Sequence, residues 1–146
     1  MIHLVDTGVL LRLLNRSDPA HDSVRKCLRT LRANGDQFAG TPQNIAEFWN
    51  VSTRPSSAGG GYGLNTADTE RRLRFIERIC SIIPDSPNLY PVWRQLVVAH
   101  EVKGVRVHDA RLVAWMKTQA VAHILTFNVG DFSRYPGIFA MTPMDI

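Results

Sequence analysis

The sequence has few cysteines, few lysines and no long apolar run, and each shortage narrows the range of functions. Its only cysteines, Cys27 and Cys80, have no Cys-X-X-Cys spacing, and they lie in helical apolar patterns typical of small buried side chains. No stretch approaches the ~20 apolar residues of a membrane span. Asp6 interrupts the first apolar run too early for a signal peptide. We therefore expect a cytoplasmic protein without membrane contact.

The rest of the composition is that of a folded domain with a basic bias. Hydrophobic residues make up 45% and charged residues 21% of 146 residues, which predicts one domain over 1–146. The net charge is +4, and 14 of the 17 basic residues are arginines. Because guanidinium groups match phosphate oxygens, this bias favours a nucleic-acid partner. A modest positive charge is also common in proteins that bind no polyanion.

Short apolar runs alternate with helical patterns along the chain. The runs predict strands at 2–5, 37–39, 82–83, 122–126 and 137–140. Capping residues and apolar spacing predict helices at 9–14, from Asp18-Pro19 to Gly35, from Thr41-Pro42 to Arg54-Pro55, from Thr66 towards residue 80, at 89–100 and from His108-Asp109 onward. This alternation predicts a three-layer α/β/α fold with a mainly parallel central sheet.

Acidic residues are predicted to meet at one edge of that sheet. Asp6 follows the first strand, Glu47 lies on the helix after the second, and Asp109 opens the helix before the fourth. Asp131 lies in the loop after the fourth strand, together with Asn128. Ligands of such folds bind beyond the carboxyl ends of the strands. Oxygen atoms are the ligands that Mg²⁺ and Mn²⁺ require, and a cation offsets the repulsion between crowded carboxylates. The pattern therefore predicts a divalent-metal site.

Each acid also has a simpler structural interpretation. Asp6 could cap the following helix, Glu47 could face solvent, and Asp109 would be stabilised by the helix dipole in any case. Asp131 could only shape a turn. Two hydroxyl residues could orient the acids or a ligating water, or could simply bond to the backbone: Thr7 and Thr126.

Five stretches of the chain resemble the PIN-domain family, and specifically its VapC branch. They are 4–11, 44–51, 53–55, 107–114 and 125–138, and they extend from the first predicted strand to the last. The Asp-Ala-Arg stretch from Asp109 and the Thr-Phe-Asn stretch from Thr126, followed by Asp131-Phe132, are the most specific in combination. The resemblance implies a PIN-like fold and a ribonuclease.

The resemblance also implies a set of site residues. It assigns catalysis to Asp6, Glu47, Asp109 and Asp131, with Asp6 and Asp109 as direct ligands of Mg²⁺ or Mn²⁺. Thr7, Thr126 and Asn128 would support the site. Some PIN domains have an acid at the position of Asn128, so either Asn128 or Asp131 completes the site. A metal-bound water would then attack the phosphodiester phosphorus.

Basic residues and partners follow from the same resemblance. Arg111 and Arg134 are candidate RNA contacts, with salt bridges to the same acids as the alternative. His108 is interpreted as a partially exposed residue at a helix start rather than as a general base. Members of the branch cleave tRNA or rRNA. They form homodimers that a cognate VapB-like antitoxin inhibits. We expect an apolar surface at 9–14 and Trp49 to receive an antitoxin helix.

Other functions remain to be separated from this one. Asp6-Thr7-Gly8 is also the tripeptide of aspartic proteases, but those folds are mostly β and this chain is dominated by helical patterns. The main alternative is a housekeeping PIN nuclease or a non-catalytic RNA-binding module. The Ser- and Gly-rich segment 56–63 lacks the Gly-Lys-Ser/Thr ending of a P-loop. It is predicted to be a mobile surface loop, with an RNA-facing flap as the alternative.

Overall fold

A five-stranded parallel sheet forms the centre of the computed structural model, which describes residues 1–146. The strands are β1 Ile2–Val5, β2 Gln37–Gly40, β3 Ser81–Ile82, β4 His123–Leu125 and β5 Phe139–Met141. They are ordered β3-β2-β1-β4-β5, and every neighbouring pair is parallel. The chain winds outward in both directions from β1, so the carboxyl ends of β1 and β4 lie side by side.

Helices cover both faces of the sheet, which confirms the predicted three-layer α/β/α fold. They are α1 Thr7–Leu14, α2 His21–Ala33, α3 Pro42–Thr53, α4 Thr66–Ile79, α5 Leu89–Ala99, α6 Arg106–Thr118 and α7 Val129–Phe132, with a 3₁₀ helix at Pro143–Asp145. The pattern missed α7 because four residues are too few to show helical periodicity. Asn65 caps α4 rather than Thr66, since its side chain accepts a hydrogen bond from the Asp68 backbone.

Two apolar clusters form the core. One packs α5 and α6 on the sheet around the fully buried Trp115, and the other packs α1 to α4 around Phe48. Val9 and Leu10 of α1 are also fully buried. The expectation that residues 9–14 leave an apolar surface for a partner is therefore wrong for most of α1, which packs between α2 and α3. The end of the helix is different, because Leu13 and Leu14 each line a surface groove.

The two cysteines are buried and unpaired, as predicted. Burial raises the pKa of Cys27 to about 11 and that of Cys80 to about 12. Both thiols therefore stay protonated and behave as small hydrophobic side chains. No helix has both the length and the apolar character needed to cross a bilayer.

The glycine-rich segment 56–63 folds back against the end of α3. Backbone N–H groups of Tyr62 and Gly63 donate to the carbonyls of Val51 and Arg54. A Cβ atom at Gly61 would lie 2.4 Å from the Arg54 carbonyl oxygen, so only glycine fits there. The segment is largely exposed and forms no hydrogen bond with the four acids.

Candidate active site

Asp6 lies at the junction between β1 and α1, where the chain leaves the sheet. Its backbone N–H donates to the Leu125 carbonyl at 3.0 Å, which joins it to the end of β4. Its Oδ1 accepts from the Thr7 backbone N–H at 2.9 Å, and its Oδ2 accepts from the Thr126 hydroxyl at 2.7 Å. Asp6 is therefore the helix cap that the simpler interpretation predicted. Its second oxygen faces the edge of the sheet as well.

Glu47 is held from α3 by uncharged donors. The Thr7 hydroxyl donates to its Oε2 at 2.7 Å, and the Gln43 amide donates to its Oε1 at 3.0 Å. The buried Asn44 donates through Nδ2 to the Thr7 hydroxyl oxygen at 3.1 Å. Each of these donors is fixed by the start of α3, where Thr41 and Asn44 form a capping box. Glu47 is thus oriented into the site and is not a freely solvated side chain.

Asp109 and Asp131 share one arginine. The Nη1 atom of Arg106 lies 3.3 Å from Asp109 Oδ2 and 2.5 Å from Asp131 Oδ2. Arg106 is one turn ahead of Asp109 on α6, whereas Asp131 belongs to α7. The guanidinium group therefore bridges two helices at the carboxyl edge of the sheet.

The acids interact as one electrostatic cluster. Burial raises the pKa of Asp6 to about 6, and the charges of Glu47 and Asp109 add to this effect against the hydrogen bonds from Thr126 and Thr7. Burial also raises the pKa of Asp109, as do the charges of Asp131 and Glu47, while Arg106 lowers it. Asp109 thus lies close enough to Asp6 to raise its pKa, although the two residues are remote in sequence.

A comparison with known families identifies the domain. The family model for the PIN domain matches residues 3–138. The chain belongs to the PIN-domain family. A comparison with curated proteins gave no significant match.

Several solved structures share the fold over most of the chain. VapBC2 from Rickettsia felis, bound to a DNA fragment of its promoter, is 18% identical with a TM-score of 0.71, covering 97% of this chain and 98% of that one. FitAcB from Neisseria gonorrhoeae is 17% identical with a TM-score of 0.70 and full coverage of both chains (100% each). VapC20 from Mycobacterium tuberculosis, described as a sarcin–ricin loop cleaving toxin, is 16% identical with a TM-score of 0.60, covering 85% of this chain and 87% of that one.

The donor set of this PIN domain suits a hard divalent cation in kind. All four acids supply carboxylate oxygens, and crowded carboxylates need positive charge to remain ionised together. As placed, however, no three acidic, histidine or cysteine side chains converge on a common point at ligand distance. Asp109 and Asp131 instead turn towards Arg106. The carboxylate groups therefore fit a divalent ion by their chemistry, and Asp109 and Asp131 would have to turn from Arg106 to share such an ion with Asp6.

The two arginines predicted to contact RNA lie outside the acidic cluster of the PIN domain. Arg111 donates to Asp85 at 2.7 Å and to Gln43 at 2.9 Å. Arg134 donates to the His100 carbonyl and packs over the ring of Tyr135. The alternative that they form salt bridges with the four acids is wrong, since Arg106 has that position. Arg111 stays next to the cluster because Gln43 also contacts Glu47.

The remaining predicted residues support the site through different groups. Thr126 is fully buried, and its hydroxyl oxygen accepts from the Asn128 backbone N–H at 3.0 Å. Asn128 itself caps α7 with its backbone, and its exposed side chain forms no hydrogen bond. His108 is exposed, as interpreted, and its carbonyl accepts from Gln43.

Sequence reasoning missed three residues of the PIN-domain site. Two of them carried a helical signal, because Gln43 is four residues before Glu47 and Arg106 is three residues before Asp109. Asn44 could be found as the third residue after a Thr41-Pro42 cap, but its contact with Thr7 depends on tertiary structure.

Proposed function

We propose that this PIN domain is a metal-dependent endoribonuclease, the toxin of a VapBC-type pair, acting in the cytoplasm on tRNA or rRNA. The observation that carries the proposal is the position of Asp6, Glu47 and Asp109 at the carboxyl edge of the sheet, where the charges of Glu47 and Asp109 add to burial in raising the pKa of Asp6. Buried like charges are costly unless a cation uses them. Binding of Mg²⁺ or Mn²⁺ for the hydrolysis of a phosphodiester is the function that such a site fits best.

The four acids would have different roles in the reaction. Asp6 and Asp109 would hold the ion, and Asp131 would add a further or water-mediated oxygen. When bound, the ion lowers the pKa of water and offsets charge on the phosphate oxygens. Glu47, whose two oxygens are fixed by Thr7 and Gln43, accepts a proton from the attacking water and orients it.

RNA cleavage tests this proposal directly. Purified protein is incubated with total tRNA and rRNA with Mg²⁺, with Mn²⁺ or with a chelator, and the products are mapped. We expect defined cleavage that needs the metal and is lost in Asp6→Asn but not in Asp22→Asn, an exposed acid of α2. RNA binding without cleavage in the wild type would support the non-catalytic alternative.

An antitoxin partner is supported by two features. The solved structures include the toxin–antitoxin complexes VapBC2 and FitAcB. This chain also has a groove between α2 and α4 with an apolar floor and basic walls, lined by Leu13, Leu28, Phe38, Phe75, Ile79, Arg25, Arg29 and Arg32. An amphipathic segment with acidic residues beside its apolar face complements that groove. A homodimer, as in similar proteins, is part of the same proposal.

Co-expression tests the partner. A small open reading frame beside the gene should encode a protein that co-elutes with this chain in size-exclusion chromatography and blocks its growth arrest. Phe75→Glu should abolish co-elution, because it places a charge on the exposed apolar floor of the groove. Tyr90→Glu, at a more exposed aromatic on α5, should not. Equal loss in both variants would contradict the assignment of the groove.

A further inference from the structure

Arg106 has an unusual position for a half-exposed arginine. Both of its contacts are with acids of the site, and one nitrogen atom serves both. No other side chain or backbone carbonyl holds its guanidinium group. The loop that leads into it is open, with Gly104 at a φ of 60° and Val105 76% exposed. The side chain can therefore leave the acids without disturbing the core.

The two acids depend on that contact. Asp109 and Asp131 are on different helices and repel each other, and no uncharged donor bonds to either carboxylate. Asp6 and Glu47, by contrast, are satisfied by hydroxyl and amide groups. A cation between Asp109 and Asp131 relieves their repulsion while both stay ionised. The guanidinium group of Arg106 supplies that positive charge here.

We propose that Arg106 is a tethered counter-cation, which holds Asp109 and Asp131 together in the metal-free protein and which a divalent ion must displace. This role rests on the proposed metal site. It adds to that proposal the residue that limits the metal affinity. Arg106 is then a positioning residue that also competes with the metal ion. It keeps the acids in place, and it raises the metal concentration at which they become ligands.

Direct metal binding tests the exchange. Mn²⁺ is titrated calorimetrically into the wild type, Arg106→Gln, Arg106→Lys and Arg94→Gln, at about 0.15 M salt, where distant charges are screened. We expect Arg106→Gln to bind Mn²⁺ about three- to thirtyfold more tightly, the factor that corresponds to one or two half-exposed ion pairs. Arg106→Lys keeps a competing cation and should stay closer to the wild type. Arg94 is an exposed arginine of α5 without a contact to the acids, and its variant should not change the affinity.

A second readout separates positioning from a general loss of structure. Without metal, Arg106→Gln should unfold at a lower temperature than the wild type, because the two carboxylates then repel each other without compensation. With saturating Mn²⁺ the difference should vanish or reverse. A variant that was merely misfolded would stay destabilised under both conditions.

The outcomes distinguish this inference from the proposed function. Unchanged or weaker Mn²⁺ binding by Arg106→Gln, with binding lost in Asp109→Asn, would overturn the counter-cation role and leave the metal site intact. Mn²⁺ binding that Asp109→Asn does not affect would overturn both. An equal gain in Mn²⁺ affinity in Arg106→Gln and Arg94→Gln would mean that only the net charge matters, and it would also overturn the inference.

Discussion

The two halves of the acidic cluster are built in opposite ways. Asp6 and Glu47 are fixed by uncharged donors at the start of α1, at the start of α3 and directly after β4, and Thr7 contacts both of them. Asp109 and Asp131 are fixed by a single charged side chain whose tip is half exposed. One half is therefore embedded in the sheet edge, and the other is held by an exchangeable ion pair.

This difference has a physical consequence for any cation that enters the site. A hydroxyl or amide group that donates to one side of a carboxylate orients it and leaves the remaining lone pairs available. A guanidinium group competes for the same negative charge. The embedded half thus prepares ligands in advance, whereas the other half must exchange one cation for another. Variants on the two sides should separate these roles.

Loss of a ligand from either half should give the largest effect. We expect Asp6→Asn and Asp109→Asn each to lower the rate of RNA cleavage on the order of 10²- to 10³-fold or more, because each removes negative charge at the proposed metal. Single-turnover cleavage with saturating Mn²⁺ measures this. Asp22→Asn is the matched control on an exposed helix. Retention of activity in either site variant would remove that half from the catalytic centre.

Breaking the orientation of the embedded half should give the next largest effect. Thr126→Val removes the donor to Asp6 Oδ2, which leaves that oxygen without its partner and raises the pKa of Asp6 further. We expect Mn²⁺ affinity to fall about 10- to 100-fold, as for other partners of metal ligands. Thr118→Val removes a hydroxyl that bonds only to the Trp115 carbonyl within α6. If calorimetry gives equal affinities for these two variants, the embedded half is not preorganised by Thr126.

The fold could be predicted almost completely from local patterns. Apolar runs placed all five strands, and the cap and proline at Thr41-Pro42 placed the start of α3. These signals are local, because a run or a cap lies within one element. The exposure of α1 could not be predicted in this way. A short apolar helix has the same pattern whether it faces a partner or packs between α2 and α3, and only tertiary structure decides.

The candidate site was predictable in its acids and not in their contacts. Asp6 and Asp109 follow from the rule that ligands bind beyond the carboxyl ends of parallel strands. Which arginine pairs with the acids depends on side-chain reach, and the sequence favoured Arg111 and Arg134 because they lie in the family stretches. Arg106 is one turn before Asp109, so a search for helical charge pairs would have found it.

The embedded half should also cost stability, and the cost should depend on pH. The native pKa of Asp6 is raised from 3.8 to about 6, so the native state holds this proton more tightly than the unfolded state does. Stability therefore falls as pH rises between these two values, and the charged carboxylate stays unfavourable above them. In metal-free protein at pH 8, we expect Asp6→Asn to raise the free energy of unfolding by about 1–3 kcal/mol. Asparagine keeps the Oδ1 acceptor for the Thr7 backbone.

Urea unfolding at several pH values checks this sign. The advantage of Asp6→Asn over the wild type should shrink towards zero below pH 4, where both side chains are uncharged. Asp22→Asn, at an exposed position, should show no such pH-dependent gain. An Asp6→Asn variant that is less stable than the wild type at pH 8 would mean that the carboxylate stabilises the metal-free fold, contrary to its burial.

The smallest expected effect on metal affinity should decide whether Asp131 or Asn128 completes the half of the site that Arg106 holds. Asp131 shares Arg106 with Asp109, whereas the exposed side chain of Asn128 forms no hydrogen bond and supports the site through its backbone. We expect Asp131→Asn to weaken Mn²⁺ binding about tenfold, at the low end of the range for groups that act on a metal through a water or a ligand. Asn128→Ala should stay within about twofold, because it keeps the backbone N–H that bonds to Thr126. The reverse order in calorimetry would assign the ligand position to Asn128, and Asp131 would then serve only to anchor Arg106.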